Sequence, residues 1–199
     1  MEITPTADWL RSRFAVGAAT GPELDIGHVM ENSTPASVLI PLVLRPTGIT
    51  VLLTQRTAHL NDHAGQVSFP GGRHDKIDSN EVETALREAD EEVGLDRTQI
   101  EVIGVMPDFW TSSRFRITPV VGLVTPPLNL KLDDFEVADV FEPPLAFLLD
   151  QANWRRDSLE RDGQRREYWA MPWQGRYIWG VTAGMIVNLQ RFLLNGPPG

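Results

Sequence analysis

Residues 69–95 read FPGGRHDKIDSNEVETALREADEEVGL, and the fold turns on reading this stretch as a loop leading into one amphipathic helix. At about 100° per residue, Val82, Ala85, Leu86, Ala89 and Val93 gather on one stripe, the pattern of a core-facing side. The periodicity predicts a helix over 80–93, with Gly94 ending it in a left-handed cap. Glu88, Glu91 and Glu92 fall together on a second arc, neither deep in the core face nor spread over the open side. Like charges at such spacing repel, so a bare helix would be more stable without them. Arg87, four residues before Glu91, is placed to pair with it and fix its rotamer. Oxygen ligands in this number suit a hard cation such as Mg²⁺ or Mn²⁺, which commonly links carboxylates to substrate phosphates. The alternative is an ordinary solvated glutamate-rich face, extended by Asp90. Gly71 and Gly72, just ahead, permit close approach of backbone to a ligand, or simply a turn.

Outward from this helix, the flanking runs read mostly as strands. ASVLIPLVLR (36–45) and ITVLLTQR (49–56) are β-branched runs split by PTG, which predicts a hairpin. QVSF (66–69) is a short strand; EVIGVMPDFW (101–110) and FRITPVVGLVT (115–125) are two more, and EVADVFEP another. Residues 164–173 and 176–180 predict a last hairpin around Gln174 and Gly175. Helices are expected at 7–18, at PPLAFLLDQ, and at 181–194, where Val181, Met185, Leu189 and Phe192 share one side. Strands interleaved with a few helices predict an α/β (α+β) sandwich built on a mixed sheet.

The chain of 199 residues divides into an N-terminal helix and connection (1–35), a single domain (36–195) and a short tail (196–199). It has no cysteine, which removes disulfides, thiolate metal sites and thiol nucleophiles from consideration. A net charge of −9 argues against a nucleic-acid partner. No apolar run reaches the ~20 residues a membrane-spanning helix needs, and the N-terminus lacks the layout of a signal peptide. A cytoplasmic protein is the expectation. All but two of the eighteen basic residues are arginine, including the clustered Arg155, Arg156, Arg161, Arg165 and Arg166. Interleaved with acids, that cluster reads as solvated charge, with a phosphate-binding patch as the alternative. Trp154, Trp169, Trp173 and Trp179 read as packing residues, and the apolar C-terminal half offers surface for a homodimer.

The stretch GGRHDKIDSNEVETALREADEEVGL resembles the Nudix box, through Gly72, Arg87, Glu88, Ala89, Glu91, Glu92, Gly94 and Leu95. It departs in carrying Asp78 where that box has glutamate, and in one extra residue between Gly72 and Arg87. The same altered spacing is similar to Nudix enzymes of the coenzyme A diphosphatase type. Their upstream motif resembles LLTQRTAHLNDHAGQVSFPGG, with Leu52, Leu53, Thr54, Arg56, Gly65, Phe69, Pro70, Gly71 and Gly72 in matching places. Thr57 replaces a serine of that motif, and Asn61 replaces an arginine.

The resemblance implies a Nudix-type α/β/α sandwich with a mixed β-sheet. It also implies metal-dependent hydrolysis of coenzyme A to 4′-phosphopantetheine and adenosine 3′,5′-bisphosphate. With it, Glu88 and Glu92 are assigned as principal ligands of Mg²⁺ or Mn²⁺, and Glu91 as a secondary ligand oriented by Arg87. Glu88 as general base is the alternative the resemblance also implies. A further acid is expected from LDDFEVADVFE, which offers Asp133, Asp134, Glu136 and Glu142; Glu136 is preferred. Arg56, His63, Gly71 and Gly72 are candidates for substrate contact, and His59 is a further loop histidine. The other readings are a Nudix pyrophosphatase for ADP-ribose, NADH or a nucleoside triphosphate, and a non-catalytic nucleotide-binding module.

Overall fold

A computed structural model describes residues 5–16, 31–59, 65–161 and 163–195. In chain order the elements are α1 (Ala7–Ala15), β1 (Thr34–Arg45), β2 (Gly48–Val51), β3 (Leu53–Arg56), β4 (Val67–Ser68), β5 (Gly71–Arg73) and α2 (Glu81–Val93). They continue with β6 (Ile100–Val105), β7 (Phe109–Trp110), β8 (Phe115–Val124), β9 (Val137–Phe141), α3 (Leu145–Leu149), β10 (Arg155–Arg161), β11 (Gln164–Trp173), β12 (Arg176–Trp179) and α4 (Gly180–Asn195).

The central sheet runs β2-β1-β8-β6, with β5 also on β1 and β7 also on β8. It is mixed because β1 and β8 pair in parallel, from Thr34 opposite Phe115 to Val43 opposite Val124, whereas β2, β5, β6 and β7 pair antiparallel. β1 is buried over eight successive residues, as a strand covered on both faces must be. Leu39 and Val43, with Val120 and Val124 of β8, meet Ala85, Leu86, Ala89 and Val93 of α2. The alternate residues Val38, Ile40 and Leu42 face Leu10 of α1, Leu148 of α3 and Ile186 and Leu189 of α4. Each side chain of this size taken fully out of water contributes about 1.5–3 kcal/mol, so the two clusters hold α2 on one face and the other helices opposite. The result is the expected α/β/α layering.

Several local expectations needed correction. The run 49–56 is two strands, not one: β2 pairs with β1, while β3 joins β4 and β9 in a separate three-stranded sheet. The break falls opposite Pro41, which accepts from the Leu52 N–H but has none of its own to return. Likewise 101–110 divides into β6 and β7, paired with different parts of β8. The arginine-rich 155–161 is a strand, β10, in a third sheet with β11 and β12. Its charged residues hid the pattern, because Leu159 is the one apolar side chain in the strand. Arg156 there lies 3.8 Å from the Trp169 ring, and Arg155 pairs with Asp157 at 3.0 Å. The N-terminal helix is no appendage, since Leu10 is fully buried. Residues 17–30 of the expected connection and the tail 196–199 lie outside the described residues. No described helix is long and apolar enough to cross a membrane.

Candidate active site

α2 starts where Asn80 accepts a hydrogen bond from the Glu83 N–H at 3.0 Å. It stops at Gly94, whose φ of +66° is the left-handed cap the sequence predicted. The three glutamates were expected in one environment, and the fold separates them. Glu92 is 6% exposed, the Glu88 side chain 17% and that of Glu91 58%. Spacing along the helix predicts none of them in the interior, yet Glu92 is buried, because β5 and β3 approach the side of the helix that it faces.

Glu92 is held from two sides. The Gly71 N–H donates to its Oε2 at 3.1 Å, and Arg56 of β3 stands 3.7 Å from its Oε1. Arg56 is also 3.6 Å from Glu136, so the preferred fourth acid does reach the site. Both separations exceed a good hydrogen bond. Arg56 Nε, though buried, has no hydrogen-bond partner among the described residues. Burial pushes the Glu92 carboxyl up to about 8, against the opposing pull of the Gly71 N–H and Arg56. Burial also raises Glu88, while Arg87 opposes it.

Gly72 faces Glu88 across the gap between β5 and α2. A Cβ at this position would lie 2.5 Å from the Glu88 carboxylate, so only glycine lets the two come this close. At Gly71 a Cβ would lie 2.4 Å from the Ser37 carbonyl, which explains the paired glycines by packing as well. The Gly71 amide contacts the candidate ligand Glu92.

Arg87 does pair with Glu91, at 2.8 Å, but that is the lesser part of its work. Its Nε and Nη2 donate to the two oxygens of Asp78, each at 2.9 Å, and it also reaches Glu88 at 3.0 Å and the Arg73 carbonyl at 3.1 Å. The Asp78 side chain is 3% exposed and receives the Asp75 N–H as well. The Arg87 guanidinium holds its carboxyl well below the usual range. Asp78 therefore fills a structural position that the sequence left open.

Of the other candidates, Glu142 is taken by Arg45, at 2.6 and 2.9 Å, and by Thr50. Asp133 accepts from the Phe135 N–H. His63 and Asn61 lie outside the described residues. Thr57, which replaces a serine of the upstream motif, has a structural role: its hydroxyl donates to the Phe135 carbonyl at 2.7 Å and its N–H to that of Glu136 at 3.0 Å. That tether brings Glu136 beside Arg56, and no spacing in the sequence announces it.

Hard carboxylate oxygens, a glycine cradle against Glu88 and a buried carboxyl that resists ionising fit a divalent cation, whose charge would restore the ionised form. Among the described residues no three acidic or histidine side chains already form a closed ligand cluster. Arg87 draws on Glu88 and Glu91, and Gly71 holds Glu92, so ligation would require the carboxylates to turn inward.

Residues 33–162 match the model of the NUDIX domain family. An uncharacterised Nudix hydrolase of Escherichia coli, NudL, is 40% identical over 184 residues, covering 92% of this chain and 93% of its own. The NudL of Shigella boydii is 42% identical over 158 residues, 79% of this chain and 82% of that one. Among solved structures, RenU, a Nudix hydrolase from M. smegmatis, has a TM-score of 0.49 at 21% identity, over 64% of this chain and 81% of that chain.

Proposed function

Because the chain belongs to the NUDIX domain family, we propose that it hydrolyses the diphosphate bond of a nucleoside diphosphate derivative, and that this substrate is coenzyme A. The observation that carries the hydrolase reading is Arg56: a half-buried cation whose Nε is buried and unused, set between Glu92 and Glu136 on the strand that leads toward Gly71 and Gly72. A diphosphate oxygen would satisfy that donor.

Glu88 and Glu92 are the residues that would hold a divalent cation, Mg²⁺ or Mn²⁺, with Glu91 reaching in from the exposed end. Such an ion supplies charge neutralisation at the diphosphate and favours ionisation of the attacking water. Arg56 docks and orients a phosphate oxygen. Arg87, anchored on Asp78, sets the approach of Glu88 and Glu91. Glu136, more open than Glu92, is placed to accept a proton from water.

Coenzyme A as substrate is supported by the 52–72 motif that contributes Arg56, Gly71 and Gly72. The extra residue before Arg87, accommodated by the Asp78 pairing, supports it too. A panel of coenzyme A, ADP-ribose, NADH and nucleoside triphosphates, assayed with Mg²⁺ or Mn²⁺ and products identified by mass, tests this. The expected products are 4′-phosphopantetheine and adenosine 3′,5′-bisphosphate. Cleavage of ADP-ribose with coenzyme A left intact would replace the substrate; no cleavage at all would favour a nucleotide-binding module.

A further inference from the structure

Large exposed hydrophobic side chains among the described residues are few, and Phe135, at 65% exposure, is the aromatic one. A lone exposed hydrophobic needs no explanation by itself. Phe135, however, is one residue before Glu136, and its turn is fastened at both ends. The Asp133 N–H donates to the Glu92 carbonyl at 2.9 Å, the Phe135 N–H to Asp133 Oδ1 at 2.9 Å, and the Thr57 hydroxyl to the Phe135 carbonyl at 2.7 Å. These bonds tie the turn to the helix end that carries Glu92 and to the strand end that carries Arg56. His59 lies 5.1 Å away, centroid to centroid, with the rings inclined at 58°. A flat apolar ring thus stands in water on a fastened turn, against a second ring, at the rim of the carboxylate site.

We propose that Phe135, backed by His59, is the stacking platform for the heteroaromatic base of the substrate, and so selects nucleoside diphosphates over diphosphates without a base. This rests on the hydrolase reading above. An aromatic face stacks any base without hydrogen-bond readout. The platform therefore confers preference for a base, while Arg56 and the carboxylates handle the diphosphate.

The test compares coenzyme A with its abasic analogue, in which the adenine is removed, across wild type, Phe135→Ala, Phe135→Leu and Phe135→Tyr. Stacking predicts that Ala and Leu raise KM for coenzyme A by about tenfold to a hundredfold. Their kcat and their KM for the abasic analogue stay at wild-type values, and Tyr restores KM. A Leu variant equal to wild type, or the same KM rise on both substrates, overturns the proposal. Independently of turnover, adenosine 5′-diphosphate is titrated and its adenine protons are followed by NMR. Upfield ring-current shifts in wild type that vanish in Phe135→Leu support the platform even if nothing is hydrolysed; no shift in wild type refutes it.

Discussion

Arg87 closes a two-pronged hydrogen bond on Asp78, Nε to Oδ1 and Nη2 to Oδ2, each 2.9 Å long, across a nine-residue separation in sequence. The loop before α2 is thereby locked to the helix that carries the glutamates. Its planar fork makes Arg87 poorly replaceable by lysine.

Breaking a largely buried pair of this kind costs about 3–5 kcal/mol, since one charge is left without its partner. Asp78→Ala should therefore lower the thermal midpoint clearly and cut activity, while Asp78→Glu, which keeps the charge, should retain more of both. Thermal melts and kcat/KM measured together check this. The Asp78 carboxyl is held below its ordinary range, so its contribution is complete above the unfolded pKa and fades as pH falls through the folded one. An acid melt of Asp78→Asn should lack that component.

Glu92→Gln retains an oxygen to accept the Gly71 N–H, so the fold should survive. Losing the carboxylate should cut kcat by on the order of 10²–10³-fold or more, the scale of removing one preorganised hydrogen-bond donor from a transition-state site. Divalent-cation binding, followed by calorimetry, should weaken as well. Wild-type turnover in this variant would exclude Glu92 as a ligand.

Glu92 also gives the metal-free protein an unusual pH response. Its folded value, about 8, lies above its ordinary 4.5, so between them the native state binds more protons than the unfolded chain. Stability without metal should therefore fall as pH rises from about 4.5 to about 8, by up to a few kcal/mol. Urea melts in chelator at several pH values should show this slope for wild type. In Glu92→Gln the slope should flatten, and Mg²⁺ should reverse the loss at pH 8.

Gly72→Ala sets a methyl 2.5 Å from the Glu88 carboxylate. Either Glu88 turns away or β5 shifts, and overpacking of this sort costs about 1–3 kcal/mol. Activity should fall by much more than the change in the melting point would account for. An Ala variant with both unchanged would show that the cradle is not needed.

The 80–93 helix, its glycine end, its apolar stripe and the mixed-sheet class were all legible in the chain, because helix periodicity and glycine caps are local properties. So was the cluster of carboxylates with Arg87. The split of 49–56 at Leu52 was not legible, since it depends on what Pro41 offers from another strand. Nor was the strand 155–161, where one leucine among charged and polar residues makes no apolar alternation to read.

Within the site the same division holds. Residue type and spacing along α2 placed Glu88, Glu91 and Glu92 on one arc without any knowledge of neighbours. Only the tertiary structure decided that Glu92 is buried, Glu88 half-buried and Glu91 open, because β3 and β5 cover the side of the helix that Glu92 and Glu88 face and leave Glu91 outside it. Only packing between distant segments set Asp78 against Arg87, Glu136 beside Arg56, and Phe135 beside Thr57 and His59. Helical geometry repeats over a few residues, whereas burial and charge pairing depend on which remote segment the folded chain brings alongside.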